Sequence, residues 1–138
     1  MICLTRCYAF PAAHVLRSQA LSDAENEQVF GKCANPNGHG HNYGVEVSVA
    51  GTVDEQTGQI VSVAALDRIF DASVREQFSH RMLNDLESFE SCVPTAENIA
   101  RVIHEVLAPE VARGTGARLV RVRIVETRRN TFEYGEIA

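Results

Sequence analysis

Two histidines separated by one residue, His39 and His41, are the side chains best placed to do chemistry. The alternating apolar pattern that follows, from Tyr43 to Val49, predicts a β-strand. Because successive side chains of a strand point to opposite faces, both imidazoles project the same way if the strand begins by then. His14 follows a strand-like segment and could supply a third imidazole. Three histidines leave one open position on tetrahedral zinc, which is where zinc does chemistry.

A metal site and an incidental pair of histidines are both open interpretations on spacing alone, because a short motif does not confirm itself. Cys33, a few residues earlier, is ambiguous in the same way, since a free cysteine is usually an inert buried side chain. No disulfide is expected. Cys3 and Cys7 would lie about 13 Å apart on one strand, which is too far for a bridge.

Length and charge exclude several classes of protein. The chain has 138 residues, so we expect one domain, residues 1–138, that buries a proper core. The formal net charge is −5 and there is no basic block, so binding to nucleic acid or to an anionic membrane is not expected. No apolar run approaches a membrane span, and Arg6 interrupts the apolar N-terminal stretch. We therefore expect a cytoplasmic protein.

The apolar periodicity predicts the element order β-β-α-α-β-β. Strands are predicted over residues 2–10, 43–53, 119–127 and 131–134, with Pro11 ending the first, and residues 15–38 are predicted to be a long irregular connection. One helix is predicted after the N-cap Ser62, and a second from Pro94-Thr95 to Pro109. This order predicts an α+β fold with a four-stranded antiparallel sheet and both helices on one face. Assembly into a closed β-barrel oligomer would cover the other face and the sheet edges.

Motifs spread over nearly the whole chain carry a family pattern. They are Phe10-Pro11-Ala12-Ala13-His14, residues 21–26, residues 30–43, His80-Arg81-Met82-Leu83-Asn84, Pro94-Thr95-Ala96-Glu97-Asn98 and Glu126-Thr127. Through them the chain resembles 6-pyruvoyl-tetrahydropterin synthase and is similar to the bacterial 6-carboxytetrahydropterin synthases of the same superfamily. The block over residues 30–43 is closer to the pyruvoyl synthases, whereas Pro94 before Thr95 is what many bacterial members carry.

The resemblance implies the tunnelling fold, in which trimers stack into a homohexamer around a β-barrel. It also implies the reaction, in which 7,8-dihydroneopterin triphosphate loses triphosphate and rearranges to the pyruvoyl product. Carboxy synthases instead release the side-chain carbons as acetaldehyde. The implied site has zinc on His14, His39 and His41, Cys33 as general base, His80 as proton-transfer partner from across a subunit boundary, and Glu126 and Thr95 in the pterin pocket.

Two positions depart from the family pattern. Ser79 stands where an Asp normally precedes the histidine of the relay, and Ala96 stands where pyruvoyl synthases often have a second Thr. A carboxylate can orient an imidazole and stabilise its charged form, whereas serine can only orient it. The sequence therefore leaves three readings: a zinc-dependent pterin lyase of pyruvoyl or carboxy type, a zinc- and pterin-binding protein with little activity, and a small α+β domain with incidental histidines.

Overall fold

The computed structural model describes residues 1–137 and contains a four-stranded antiparallel sheet in the order β1-β2-β3-β4. The strands are β1 (Ile2–His14), β2 (His39–Gly51), β3 (Arg118–Val125) and β4 (Thr131–Gly135). The helices are α1 (Asp23–Phe30), α2 (Val63–Phe70), α3 (Glu76–Phe78) and α4 (Ala96–Thr115), and a π-helical segment, Asp71–Arg75, joins α2 to α3. Short 3-10 turns cover Gly31–Ala34, Leu83–Asp85 and Glu87–Phe89. The predicted α+β class and the four-stranded antiparallel sheet are confirmed.

The core lies between one face of the sheet and the two predicted helical segments. The apolar phase of β2 and the apolar stripes of the helices are buried together; the members include Val45, Val47, Val49, Leu66, Phe70, Ile99 and Ile103. The other phase of the strands forms a polar face, on which Arg123 pairs with Glu133 and Glu46. In the part of the chain that the structure describes, no helix is both long and apolar enough to cross a membrane.

The predicted end of β1 at Pro11 is wrong, because the strand continues to His14. Proline has no N–H to donate, but β1 lies at the edge of the sheet, where that loss is tolerated. The carbonyl of Pro11 still accepts a hydrogen bond from the N–H of His80 at 2.7 Å, and Ala13 N–H donates to Arg81 at 2.9 Å. The extra residues carry His14 to the position directly opposite His39.

The predicted end of the second helix at Pro109 is also wrong. Helix α4 continues to Thr115 and ends at Gly116, whose φ of 76° is a left-handed conformation that suits glycine. A proline inside a helix removes one hydrogen bond and crowds the preceding turn. Burial continues past it, because Leu107 and Val111 are both fully buried. Packing against the sheet therefore outweighs the local cost of Pro109.

The connection between β1 and β2 is more regular than predicted. It contains α1, which begins at a capping box formed by Ser22 and Glu25. Almost all of α1 is exposed and only Asn26 is buried, so the helix has no apolar stripe that periodicity could detect. At the same end of the sheet, β3 stops at Val125, and Glu126 lies directly after the strand instead of within it.

Candidate metal centre and active-site pocket

The three histidines meet at one end of the paired strands β1 and β2. His14 lies directly opposite His39, and His41 lies two residues further along the same face of β2. Their candidate ligand nitrogens all lie within 4.8 Å of one another, and Nε2 of His14 is 3.0 Å from Nε2 of His39. Two nitrogens bound to tetrahedral zinc at about 2.0–2.1 Å would be about 3.3 Å apart. The cluster could therefore hold a metal ion.

Hydrogen bonding determines which nitrogen of His14 is available to bind a metal ion. Nδ1 of His14 is 2.8 Å from the carbonyl oxygen of Pro94, which can only accept. The proton of the neutral ring therefore lies on Nδ1, and Nε2 keeps its lone pair for the cluster. Burial lowers the pKa of His14 to about 4, with smaller contributions from the neighbouring His39 and His41. His14 is thus neutral near pH 7, which is the form that binds metals.

The surroundings of His39 also fit a metal ion. Burial lowers the pKa of His39, so its ring too is held in the neutral form. Its Nδ1 is buried and has no partner among residues 1–137, while its Nε2 faces the lone pair of His14. Two facing lone pairs repel unless a proton or a cation lies between them. An N-ligand set of this kind suits zinc.

Cys33 and Glu126 lie on chain segments that adjoin the strand ends carrying the histidine cluster, because Cys33 bonds Leu16 and Glu126 follows Val125, which pairs with Gly44. Cys33 is half-buried in the turn Gly31–Ala34. The carbonyl of Cys33 accepts a hydrogen bond from Leu16 N–H at 2.8 Å, which holds the turn in place. Burial raises the pKa of the Tyr43 hydroxyl, and the charges of Glu126 and Cys33 raise it further. Burial also raises the pKa of Glu126, against the effect of the nearby His41. One chain thus brings a thiol, a carboxylate and the histidine cluster together.

Thr95 lies beside the cluster through its neighbour in sequence. Its hydroxyl oxygen caps α4 by accepting from Asn98 N–H at 3.2 Å, and the preceding residue, Pro94, binds His14. The side chain is half-buried. Thr95 therefore has a structural role in starting α4, and its predicted substrate contact stays a prediction.

His80 is placed differently from the other predicted site residues. It is exposed, and its φ of 60° is a left-handed conformation that is uncommon for a residue with a side chain. Within residues 1–137, His80 is hydrogen-bonded through its backbone N–H to the carbonyl of Pro11, and no hydrogen bond joins its imidazole to Cys33. It borders a shallow cavity shared with Pro11, Asn42 and His41. The described part of one chain therefore does not join the two members of the predicted relay.

Three asparagines that were not predicted as site residues hold the segments around the site. The side chain of Asn26 forms hydrogen bonds with the backbone of Ser18, Leu21 and Ser22, ahead of the turn that carries Cys33. The side chain of Asn84 bonds both the N–H and the carbonyl of Val15. The side chain of Asn98 donates to the carbonyl of Val93. The sequence did contain a signal for these residues, because each asparagine is the last residue of a motif on which the family resemblance is based. Sequence alone could not distinguish a clamp on the backbone from a contact with a ligand.

Fold and site together define a class: an α+β protein in which a three-histidine cluster, a thiol and a carboxylate meet at one end of an antiparallel sheet. The sequence family described as 6-pyruvoyl tetrahydropterin synthase matches residues 3–136. The chain belongs to the 6-pyruvoyl tetrahydropterin synthase family.

Individual relatives agree with this assignment. The human 6-pyruvoyl tetrahydrobiopterin synthase is 39% identical over 132 residues, which cover 95% of this chain and 89% of the human protein. The protein of the same name from Drosophila melanogaster is 39% identical over 132 residues and is covered to 77%. The structure of Caenorhabditis elegans 6-pyruvoyl tetrahydropterin synthase matches with a TM-score of 0.84 at 39% identity, covering 99% of this chain and 96% of that one. The subunit of the predicted tunnelling fold is thereby confirmed, whereas its assembly into a β-barrel oligomer stays a prediction.

Proposed function

We propose that the protein is a zinc-dependent lyase that eliminates triphosphate from 7,8-dihydroneopterin triphosphate and yields the 6-pyruvoyl product. The observation that carries this proposal is the cluster of His14, His39 and His41, with Cys33 and Glu126 on chain segments that adjoin it. The 39% identity to the human synthase over nearly the whole chain supports the same chemistry. When bound, zinc would polarise the side-chain hydroxyl oxygens of the substrate and acidify the adjacent C–H groups.

Cys33 is the proposed general base. A thiol acts as a base in its thiolate form, and a position beside a metal site favours that form. The turn that carries Cys33 is tied to the segment after His14 by the hydrogen bond from Leu16, so the sulfur is held relative to the histidine cluster. Cys33 takes the proton from the substrate side chain, and positioned proton transfer of this kind contributes about 10² to 10⁴ in rate.

Glu126 is the proposed anchor of the pterin. Its side chain is half-buried at the end of β3, where a carboxylate can pair with two adjacent N–H groups of the pterin ring. Burial raises the pKa of Glu126, and such a carboxyl gains much from a donor pair that replaces lost water. Thr95, at the start of α4, lines the same pocket in this proposal.

The second half of the relay comes from another copy of the chain in this proposal. His80 is exposed and its imidazole is not hydrogen-bonded to Cys33 in the described chain, and the polar face of the sheet and the edge strands β1 and β4 are available for pairing. A homohexamer built from two trimers, each closing a β-barrel, would bury those edges. It would also bring His80 of one subunit to Cys33 of a neighbour.

A carboxy-type reaction is the second candidate, favoured by Ser79. The residue before His80 is not a carboxylate, so the relay lacks a group that would stabilise a protonated imidazole. A relay of different strength could direct the same intermediate towards loss of acetaldehyde.

One incubation separates these possibilities. The zinc-loaded protein is incubated with 7,8-dihydroneopterin triphosphate, and the products are identified by mass spectrometry. We expect the pyruvoyl product and inorganic triphosphate from the wild type, far less of both from Cys33→Ala, and much weaker pterin binding by a stable Glu126→Gln variant. A carboxy product with acetaldehyde would support the second candidate. No turnover combined with tight pterin binding would reject the lyase and leave a binding protein.

A further inference from the structure

One buried group beside the histidine cluster has no role in the function proposed above. Tyr43 is 0% exposed, and its side chain projects from β2 on the same face as His41. Its hydroxyl oxygen is 3.1 Å from Nδ1 of His14. A buried phenol usually has a hydrogen-bond partner, and here the partner is the remote nitrogen of a candidate metal ligand.

The direction of this hydrogen bond follows from the other partner of His14. The carbonyl of Pro94 occupies the same nitrogen at 2.8 Å and can only accept, so Nδ1 carries the proton. Nδ1 then has no lone pair to offer Tyr43. The Tyr43 hydroxyl therefore accepts a share of the Nδ1–H bond, and its own proton must point away from His14. The bond is shared between two acceptors, with Pro94 the nearer.

Both acceptors are fixed in place. Tyr43 is packed into the core of the sheet, and the backbone before Pro94 is held where the side chain of Asn98 donates to the carbonyl of Val93 at 2.8 Å. The imidazole of His14 cannot rotate about its long axis without losing two hydrogen bonds. Its Nε2 is thereby aimed at the nitrogens of His39 and His41.

We propose that Tyr43 is a positioning residue of the metal centre, which shares the Nδ1 proton of His14 with the carbonyl of Pro94 and so orients Nε2 towards the ion. The inference rests on the metal site of the proposed function. A cation on Nε2 makes Nδ1–H a stronger donor, so the two acceptors stabilise the metal-bound state more than the free state. Partners of this kind typically change metal affinity 10–100-fold when removed.

The first test removes only the hydroxyl. Tyr43→Phe keeps the ring in the core, and Tyr8→Phe is the matched control, because it also loses a hydroxyl hydrogen bond, to Asp67 at 2.7 Å, outside the cluster. Zinc affinity is measured by competition with a chelator. We expect about tenfold weaker zinc binding for Tyr43→Phe and no change for Tyr8→Phe.

The second readout needs no metal and does not depend on activity. In the zinc-free protein, the Nδ1–H proton of His14 is observed by ¹⁵N-edited NMR. We expect this resonance to move to lower frequency in Tyr43→Phe, because one acceptor is lost, and to stay in place in Tyr8→Phe. A variant that merely loosened the fold would broaden many resonances instead of shifting this one.

A third measurement keeps the proposal testable if Tyr43→Phe does not fold. The chain has three tyrosines, so 3-fluorotyrosine in a Tyr8→Phe/Tyr134→Phe background labels Tyr43 alone. We expect the ¹⁹F resonance to shift on zinc addition. A wild type that binds no zinc would overturn the proposed function and this inference together. Zinc binding by the wild type, with unchanged affinity and an unchanged His14 resonance in Tyr43→Phe, or no ¹⁹F shift, would overturn this inference alone.

Discussion

The histidine cluster and the proposed relay of Cys33 and His80 are neighbouring parts of the molecule that are built in different ways. The cluster lies on two hydrogen-bonded strands, and strand pairing alone places His14 opposite His39. The relay residues lie on turns, and the described part of one chain does not bring them into contact. Regular pairing can thus assemble a candidate ligand set within one chain, whereas the proposed relay requires a second copy of the chain.

The largest expected effect separates the two regions directly. His39→Ala removes one of three nitrogens, and two remaining imidazoles cannot hold zinc as tightly. We expect the variant to be purified with little zinc and no measurable turnover, as determined by metal analysis and product assay. His80→Ala is the matched control, since it removes an imidazole from the relay and should keep full zinc. Full zinc in His39→Ala would show that the cluster is not the metal site.

A mixing experiment tests whether the relay crosses a subunit boundary. Cys33→Ala and His80→Ala should each lose about 10² to 10⁴ in rate, because each removes one side of the proton transfer. When the two variants are unfolded together and refolded as a mixture, some boundaries will join an intact Cys33 to an intact His80. We expect part of the activity to return, with normal zinc content throughout. Activity that stays at the level of the separate variants would place the relay within one chain.

The histidine cluster could be predicted from the strand pattern, whereas the roles of Cys33 and His80 came from the family resemblance alone and stay predictions. The strand period of two places His39 and His41 on one face, so their sequence spacing is already a spatial statement. His14 was expected near them, although the strand that carries it was predicted to end at Pro11. A strand tolerates proline at the edge of a sheet, and no local sequence pattern shows that β1 is an edge strand. The left-handed backbone of His80 is likewise set by tertiary contacts, here the bond from its N–H to Pro11.

Longer-range packing explains the remaining differences between prediction and structure. Helix α4 passes Pro109 because its buried face continues to Val111, and a local rule cannot weigh that burial. Helix α1 differs from α4, because it begins at a side-chain cap, Ser22, and has hardly any apolar face to bury. The direction of the Tyr43 hydroxyl bond required the position of the Pro94 carbonyl, which is 80 residues from His14 in sequence.

We expect acid to lower the free energy of unfolding through the protonation of His14 in the histidine cluster. Burial lowers the pKa of His14 to about 4 in the folded protein, against about 6.5 in an unfolded chain. The unfolded state therefore binds more protons between these values, so stability falls as the pH drops from about 6.5 to about 4 and is unaffected above that window. His14 alone should lower the free energy of unfolding of the zinc-free protein by about 3 kcal/mol across it.

Urea titrations at fixed protein concentration and in the presence of a chelator would measure this decline. His14→Gln should lose most of it, whereas His80→Gln, changed at an exposed site, should keep it. Burial raises the pKa of Glu126, which works in the opposite direction, so the difference between wild type and His14→Gln is the informative quantity. Parallel pH profiles for wild type and His14→Gln would contradict a buried neutral His14.

The smallest expected effect concerns Ser79, which directly precedes His80 and ends α3, its N–H donating to the carbonyl of Arg75 at 3.0 Å. If His80 exchanges protons with Cys33 of a neighbouring subunit, a carboxylate at position 79 should stabilise the protonated imidazole. An orienting carboxylate supplies only part of acid–base catalysis, so Ser79→Asp should raise the rate of pyruvoyl formation by up to about tenfold without altering zinc content.

Steady-state kinetics of Ser79→Asp decide this point, with Ser88→Asp as the control because it adds the same charge at another exposed turn. An increase confined to Ser79→Asp would show that the relay of this protein works without a carboxylate that it could use. A decrease would mean that the site is built around a hydroxyl at this position, and that the chemistry of the relay differs from that of the pyruvoyl synthases. Because Ser79 is not one of the proposed metal ligands, zinc content separates either outcome from damage to the cluster.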